Sequence, residues 1–175
     1  MSTPLTHAVQ QVEEFVARDG WDQTPRMFAL AWASELVSTE PDLAEELGIS
    51  PTDAGFVPIE QDWTDEEQPL DALLAAIGWP EEVQGCVITL ERIVLPDSAE
   101  AELVASGLDP TSRAFADEAL EHPDHRDVRM SIGVLRGGDR FCRLRVRQSD
   151  GTETFTEGPE LVPGLTSALA TTFEA

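Results

Sequence analysis

The chain has 175 residues, 41% of them hydrophobic, and a formal net charge of −23. That length suits one domain, residues 1–175, with a real core; its apolar residues are periodic, unlike those of a disordered acidic tail, and no run approaches the roughly 18–20 apolar residues of a membrane span. So large an acidic excess repels polyanions, which speaks against nucleic acid as a partner, and two cysteines 56 positions apart make no disulfide framework.

Nothing at the N-terminus resembles the basic opening of a secretory signal, so a cytoplasmic protein is expected. Residues 4–18 predict an amphipathic helix, with Leu5, Val9, Val12 and Val16 at helical spacing, Thr3 as cap and Gly20 as stop. A strand is expected over 26–36, where Phe28, Leu30, Trp32 and Leu36 alternate with alanines, and a short helix over 41–47. Phe56–Gln61 reads as a strand that Pro58 confines to an edge or a bulge. Leu70, Leu73, Leu74 and Ile77 predict a helix over 69–77, and 83–94 a strand with Cys86, Ile88 and Leu90 on one face. The acidic run 96–107 reads as a loop, and Asp109–Pro110 as the start of a helix ending near His122–Pro123.

A basic hairpin follows. All eleven basic residues are arginines, and seven of them (Arg126, Arg129, Arg136, Arg140, Arg143, Arg145, Arg147) lie between 126 and 147 beside only Asp127 and Asp139. Parity favours a three-residue loop at Gly137–Gly138–Asp139, pairing Val134 with Cys142 and Ile132 with Leu144, and keeping one face apolar. The same register sets Arg129 opposite Arg147. Thr152–Thr156 reads as one more strand, and 160–173 as a C-terminal helix with Leu161, Leu165, Leu169 and Phe173 at intervals of four. The expected fold is α+β: an antiparallel sheet of about five or six strands, order roughly α-β-β-β-α-β-β-α, with the terminal helices packed on one face.

That order is similar to the topology of small acidic secretion chaperones, with no shared motif. In sequence, the chain resembles an uncharacterised conserved family of acidic actinobacterial proteins. The resemblance rests on Gly20-Trp21-Asp22-Gln23, Arg26-Met27-Phe28-Ala29-Leu30, Pro58-Ile59-Glu60-Gln61, Ala76-Ile77-Gly78-Trp79-Pro80, Gly85-Cys86 and Leu161-Val162-Pro163-Gly164-Leu165. It implies no assigned activity.

Motifs that could carry chemistry are weak. His122-Pro123-Asp124-His125 has metal-ligand residue types, but Pro123 breaks the helix that would align the histidines, so no metal or other cofactor is expected. Cys86 and Cys142 fall in apolar strand registers, as inert thiols do. Glu60 and Asp62 would share a strand face, as two among many acids. The glycines of 133–138 lie inside a hairpin, not between a strand and a helix. Arg129, Arg143, Arg145 and Arg147 project from one face, and something negative must cover them. Acids of the chain itself, Glu91, Glu153 or a covering helix, are the favoured source; an acidic partner segment, a second copy or a phosphate-bearing ligand is the other. These four arginines, with Trp63 and Trp79 beside the 69–77 helix, are the candidate binding residues.

The sequence does not settle whether the protein is an enzyme, and the balance leans against it. The expected function is a cytosolic protein-binding or chaperone-like module, working as a homodimer or with a protein client. One alternative is a small-molecule or metal-dependent enzyme with a pocket near Trp63, Trp79 and His122–His125. Another is an acidic mimic that occupies a nucleic-acid-binding protein.

Overall fold

A computed structural model describes residues 3–50, 55–61, 74, 77–148 and 150–173. Among these residues the order is α1 (Pro4–Ala17), β1 (Arg26–Trp32), α2 (Ala33–Thr39), α3 (Pro41–Glu46), β2 (Phe56–Gln61), β3 (Gly85–Val94), α4 (Asp97–Ala105), α5 (Arg113–Glu121), β4 (Arg126–Leu135), β5 (Arg140–Arg147), β6 (Glu153–Gly158) and α6 (Pro163–Thr171). The six strands form one antiparallel sheet in the order β2-β1-β3-β4-β5-β6. The α+β class, the strand number and the terminal helices follow the sequence reading.

The two terminal helices lie on opposite faces of the sheet, not on one. Met27 to Leu30 of β1 and Gly85 to Leu90 of β3 are buried at every position, so each side of the sheet needs a cover. On one side α1 sets Leu5, Val9, Val12 and Val16 against Phe28, Leu30 and Val87. On the other, Leu169 of α6 packs with Met27, Ile88, Ile132 and Cys142. Gly133 fixes how closely α1 approaches, since a Cβ there would stand 2.5 Å from Val9 Cγ2 and 3.0 Å from Leu5 Cδ1.

Several boundaries differ from expectation, each for a local reason. β1 stops at Trp32, and Ala33 and Leu36, three apart, turn one face of α2 into the core. Residues 97–105 form α4 rather than a loop. Acids in its first turn favour the helix dipole, and only Ala99 is buried, so no apolar stripe announced it. α5 begins at Arg113, where Ser112 Oγ accepts from Phe115 N at 3.1 Å; Asp109 instead accepts from Thr111 N at 2.9 Å in a local turn. α6 starts at Pro163, which leaves Leu161 outside the helix. Of the helix expected over 69–77, residues 69–73, 75 and 76 lie outside the described residues; Leu74 joins the α6-side core.

The hairpin keeps its expected faces and shifts its register by two. Ile132 faces Cys142, Met130 faces Leu144, Arg129 faces Arg145 and Asp127 faces Arg147. The three-residue loop is Arg136–Gly138, closed by Gly138 N to Leu135 O at 2.9 Å and Leu135 N to Asp139 O at 2.8 Å. Its last position needs a positive φ, and Gly138 takes it at 105°. The loop expected over 137–139 would have assigned that position to Asp139, at a steric cost.

Candidate functional site

α1 has two flanks beside its buried stripe, and each meets a different surface. Glu13 and Gln10 lie on the flank toward β5 and β6. Gln11, Glu14, Phe15 and Arg18 lie on the flank toward β2.

On the first flank Glu13 is fully buried among the arginines of the sheet. Arg145 donates to it through Nε and, at 2.9 Å, through Nη2, and a second fork of Arg145 reaches Glu153 at 2.9 Å. Arg143 Nε stands 3.8 Å from Glu13 and its Nη1 3.9 Å from Glu157. Arg129, 1% exposed, lies 4.0 Å from Glu13 and 3.5 Å from Glu91, and donates to the Gly20 carbonyl. Arg147 binds Asp127, its partner across the strands, at 2.6 Å. Aromatic rings fill the spaces between: Arg129 and Arg147 stand over Trp21 at 4.5 and 4.7 Å, Arg143 and Arg145 over Phe155 at 4.3 and 4.6 Å.

The four arginines thus meet five carboxylates of their own chain, from α1, β3, β4 and β6. Arg129 and Arg143 each leave Nε without a hydrogen-bond partner, which marks a compensated buried cluster, not a large gain in stability. Glu91 also ties down the α1–β1 connection, accepting from Asp22 N at 2.8 Å and Gln23 N at 3.1 Å; the first bond holds Asp22 at a φ of 67°. The sequence points to Glu91, Glu153 or a covering helix; it does not single out Glu13 of that helix, although Glu13 sits at the edge of the helical stripe, four after Val9 and three before Val16, where an acid requires a buried cation.

The remaining candidates within the described residues have structural partners. Trp79 donates to Thr172 Oγ1 at 2.9 Å and stacks on Phe173, pinning the 77–80 segment to the end of α6. Trp63 lies outside the described residues. His122 and His125 close the C-terminal end of α5: Asp124 N donates to His122 Nδ1 at 3.0 Å, and His125 Nδ1 meets the His122 carbonyl at 2.6 Å. Among the described residues no three His, Cys, Asp or Glu side chains are grouped to hold a metal. Burial pushes the Cys86 thiol up to about 12, opposed by a hydrogen bond from Thr172, so it is no nucleophile at neutral pH. Glu60 forks Arg26 at 2.6 and 2.8 Å, and this hydrogen bonding raises the arginine's pKa further.

The second flank of α1 borders a groove of about 540 Å³, within the range of ligand sites. Its apolar lining is Val12, Phe15, Phe28, Leu47, Pro58 and Ile59; Gln11, Glu14, Arg18 and Glu60 form the rim. Phe15 is 44% exposed and Leu47, which follows α3, is 46% exposed. Phe15 is held edge-on to Phe28 with ring centroids 6.1 Å apart and lies under Arg26 at 5.3 Å. The alternating pattern of β2 and the helical pattern of α1 each gave half of this groove. Their adjacency comes only from the long-range pairing of β1 with β2.

No helix among the described residues is long and apolar enough to cross a membrane. No curated protein and no solved structure matches the chain. A family model described as PPA1309-like protein matches residues 5–174, nearly all the sequence, and carries no assigned activity: the chain belongs to the family of PPA1309-like proteins.

Proposed function

We propose that the protein is a non-enzymatic, cytosolic protein-binding module that takes apolar side chains of a partner into the groove between α1 and β2. The observation that carries this reading is the pair Phe15 and Leu47, two large apolar side chains left nearly half exposed across a floor of Val12, Phe28 and Ile59. Exposed apolar surface gathered into a concave patch costs solubility unless it is used. Two free, buried cysteines suit a reducing compartment. A homodimer joined through the arginine row loses its electrostatic basis, because those guanidiniums are met by Glu13, Glu91, Asp127, Glu153 and Glu157. The partner surface moves to the other flank of α1.

The test compares the proteins retained from the native cell extract by the wild-type chain and by a Phe15→Ser/Leu47→Ser variant. Both substitutions are at exposed positions, so folding survives, and circular dichroism checks it. The expected result is a partner retained by the wild type and lost by the variant. Identical retention by both would sink the groove as the binding site.

A further inference from the structure

The charge around the groove narrows what enters it. Arg26, on the neighbouring strand, is neutralised by Glu60 and by Asp19, at 2.6 and 2.8 Å. Arg18 is the one cation in the lining. Against it stand Glu14 on the rim and Asp42, Glu45 and Glu46 on α3, the helix that delivers Leu47. All four of these acids are exposed, and none has an ion-pair partner among the described residues. The rest of the α2–α3 stretch adds Glu35 and Glu40 and no base. Acids of the sheet are matched to arginines; unmatched ones also stand on α4 and α5, but those of α3 adjoin Leu47 and its apolar floor and give that edge of the groove a negative field.

The free edge of β2 decides the shape of the occupant. Ala33 N donates to the Gly55 carbonyl at 3.0 Å, in register with the β1–β2 ladder. Alternation then places Pro58, opposite Leu30, where its nitrogen faces away from β1. Strand addition along this edge would therefore lack a donor at its centre. A helix laid in the groove between α1 and β2, beside Leu47, needs no backbone partner and presents apolar anchors one turn apart.

Resting on the binding-module reading, we infer that the groove receives an amphipathic helical segment of a partner protein, apolar on one face and carrying Lys or Arg on its flanks. The apolar face fills the space between Phe15 and Leu47, and the basic flanks lie along Asp42, Glu45 and Glu46.

Three labelled amphipathic helical peptides test this by fluorescence anisotropy: one of leucine and lysine, one of leucine and glutamine, one of leucine and glutamate. The lysine peptide should bind about tenfold more tightly than the glutamine peptide at low salt, with the advantage fading as salt rises. Phe15→Ser/Leu47→Ser should weaken both. Asp42→Asn/Glu45→Gln/Glu46→Gln should abolish the lysine advantage and leave glutamine-peptide binding intact. If glutamine and lysine peptides bind equally, and both through Phe15 and Leu47, the basic partner is refuted while the groove reading stands. If the lysine peptide binds regardless of Phe15→Ser/Leu47→Ser, or no peptide binds, the groove reading falls as well.

Discussion

Glu13 and its arginines show how a single position can decide what a surface is for. Seven arginines clustered in one hairpin of an acidic chain call for a negative cover, from the chain itself or from a partner. The buried carboxylate of α1 brings Arg145, Arg143 and Arg129 together beneath a helix. Removing it leaves guanidiniums desolvated and uncompensated, a loss of about 3–5 kcal/mol. Glu13→Gln should accordingly lower the urea midpoint of unfolding sharply. Glu153→Gln, at a partly exposed pair, should cost no more than about 1 kcal/mol. Equal effects would mean that burial of Glu13 does not set its importance. The arginine face was legible from parity alone. A cover from the chain's own acids was legible too, but not that Glu13 supplies its buried part, because an acid on the edge of a helix stripe looks like any other of the 34 acids until the helix is docked.

Among the elements, those with a strict apolar period follow the sequence pattern, as does the short α3 ahead of Gly48, whereas α2, α4 and the start of α5 depart from it. β3, β4, β5 and α1 each alternate or recur over long runs. α4 has one buried side chain, and α2 continues a strand pattern in which alanines suit either conformation. Hairpin parity fixed which residues face the core, since a shift by two leaves faces unchanged; the register itself hung on which loop residue takes the positive φ. Glycine substitutions read that choice directly. Gly138→Ala should cost about 1–2 kcal/mol, while Gly137→Ala, with an ordinary φ and open space around it, should be nearly neutral. Gly133→Ala should cost about 1–3 kcal/mol by pushing α1 off the sheet. Thermal unfolding of the three variants checks the order; a stable Gly138→Ala would point to a different loop.

The whole molecule has an unusual titration. It contains no lysine and no tyrosine, so little competes with the Cys86 thiol at alkaline pH. Cys86 keeps its proton to about 12 in the fold and to 9.0 when exposed. Between those values the native state binds more protons than the unfolded one, so stability falls as pH rises through the window and is complete below it. Urea midpoints measured across that range should decline, and Cys86→Ala should flatten the slope; an unchanged slope would place the alkaline loss elsewhere. The two-sided sheet has a further consequence, in the time domain. α1 docks on β4 and β5 as well as on β1 and β3, and 109 positions separate Ala17 from Arg126. At about 5–20 residues per second, ribosomal synthesis leaves that helix without its complete seat for on the order of 10 s. A chain arrested before the hairpin would display Leu5, Val9 and Val12 to whatever surveys nascent polypeptides, which makes completion of the hairpin the event that withdraws them from view.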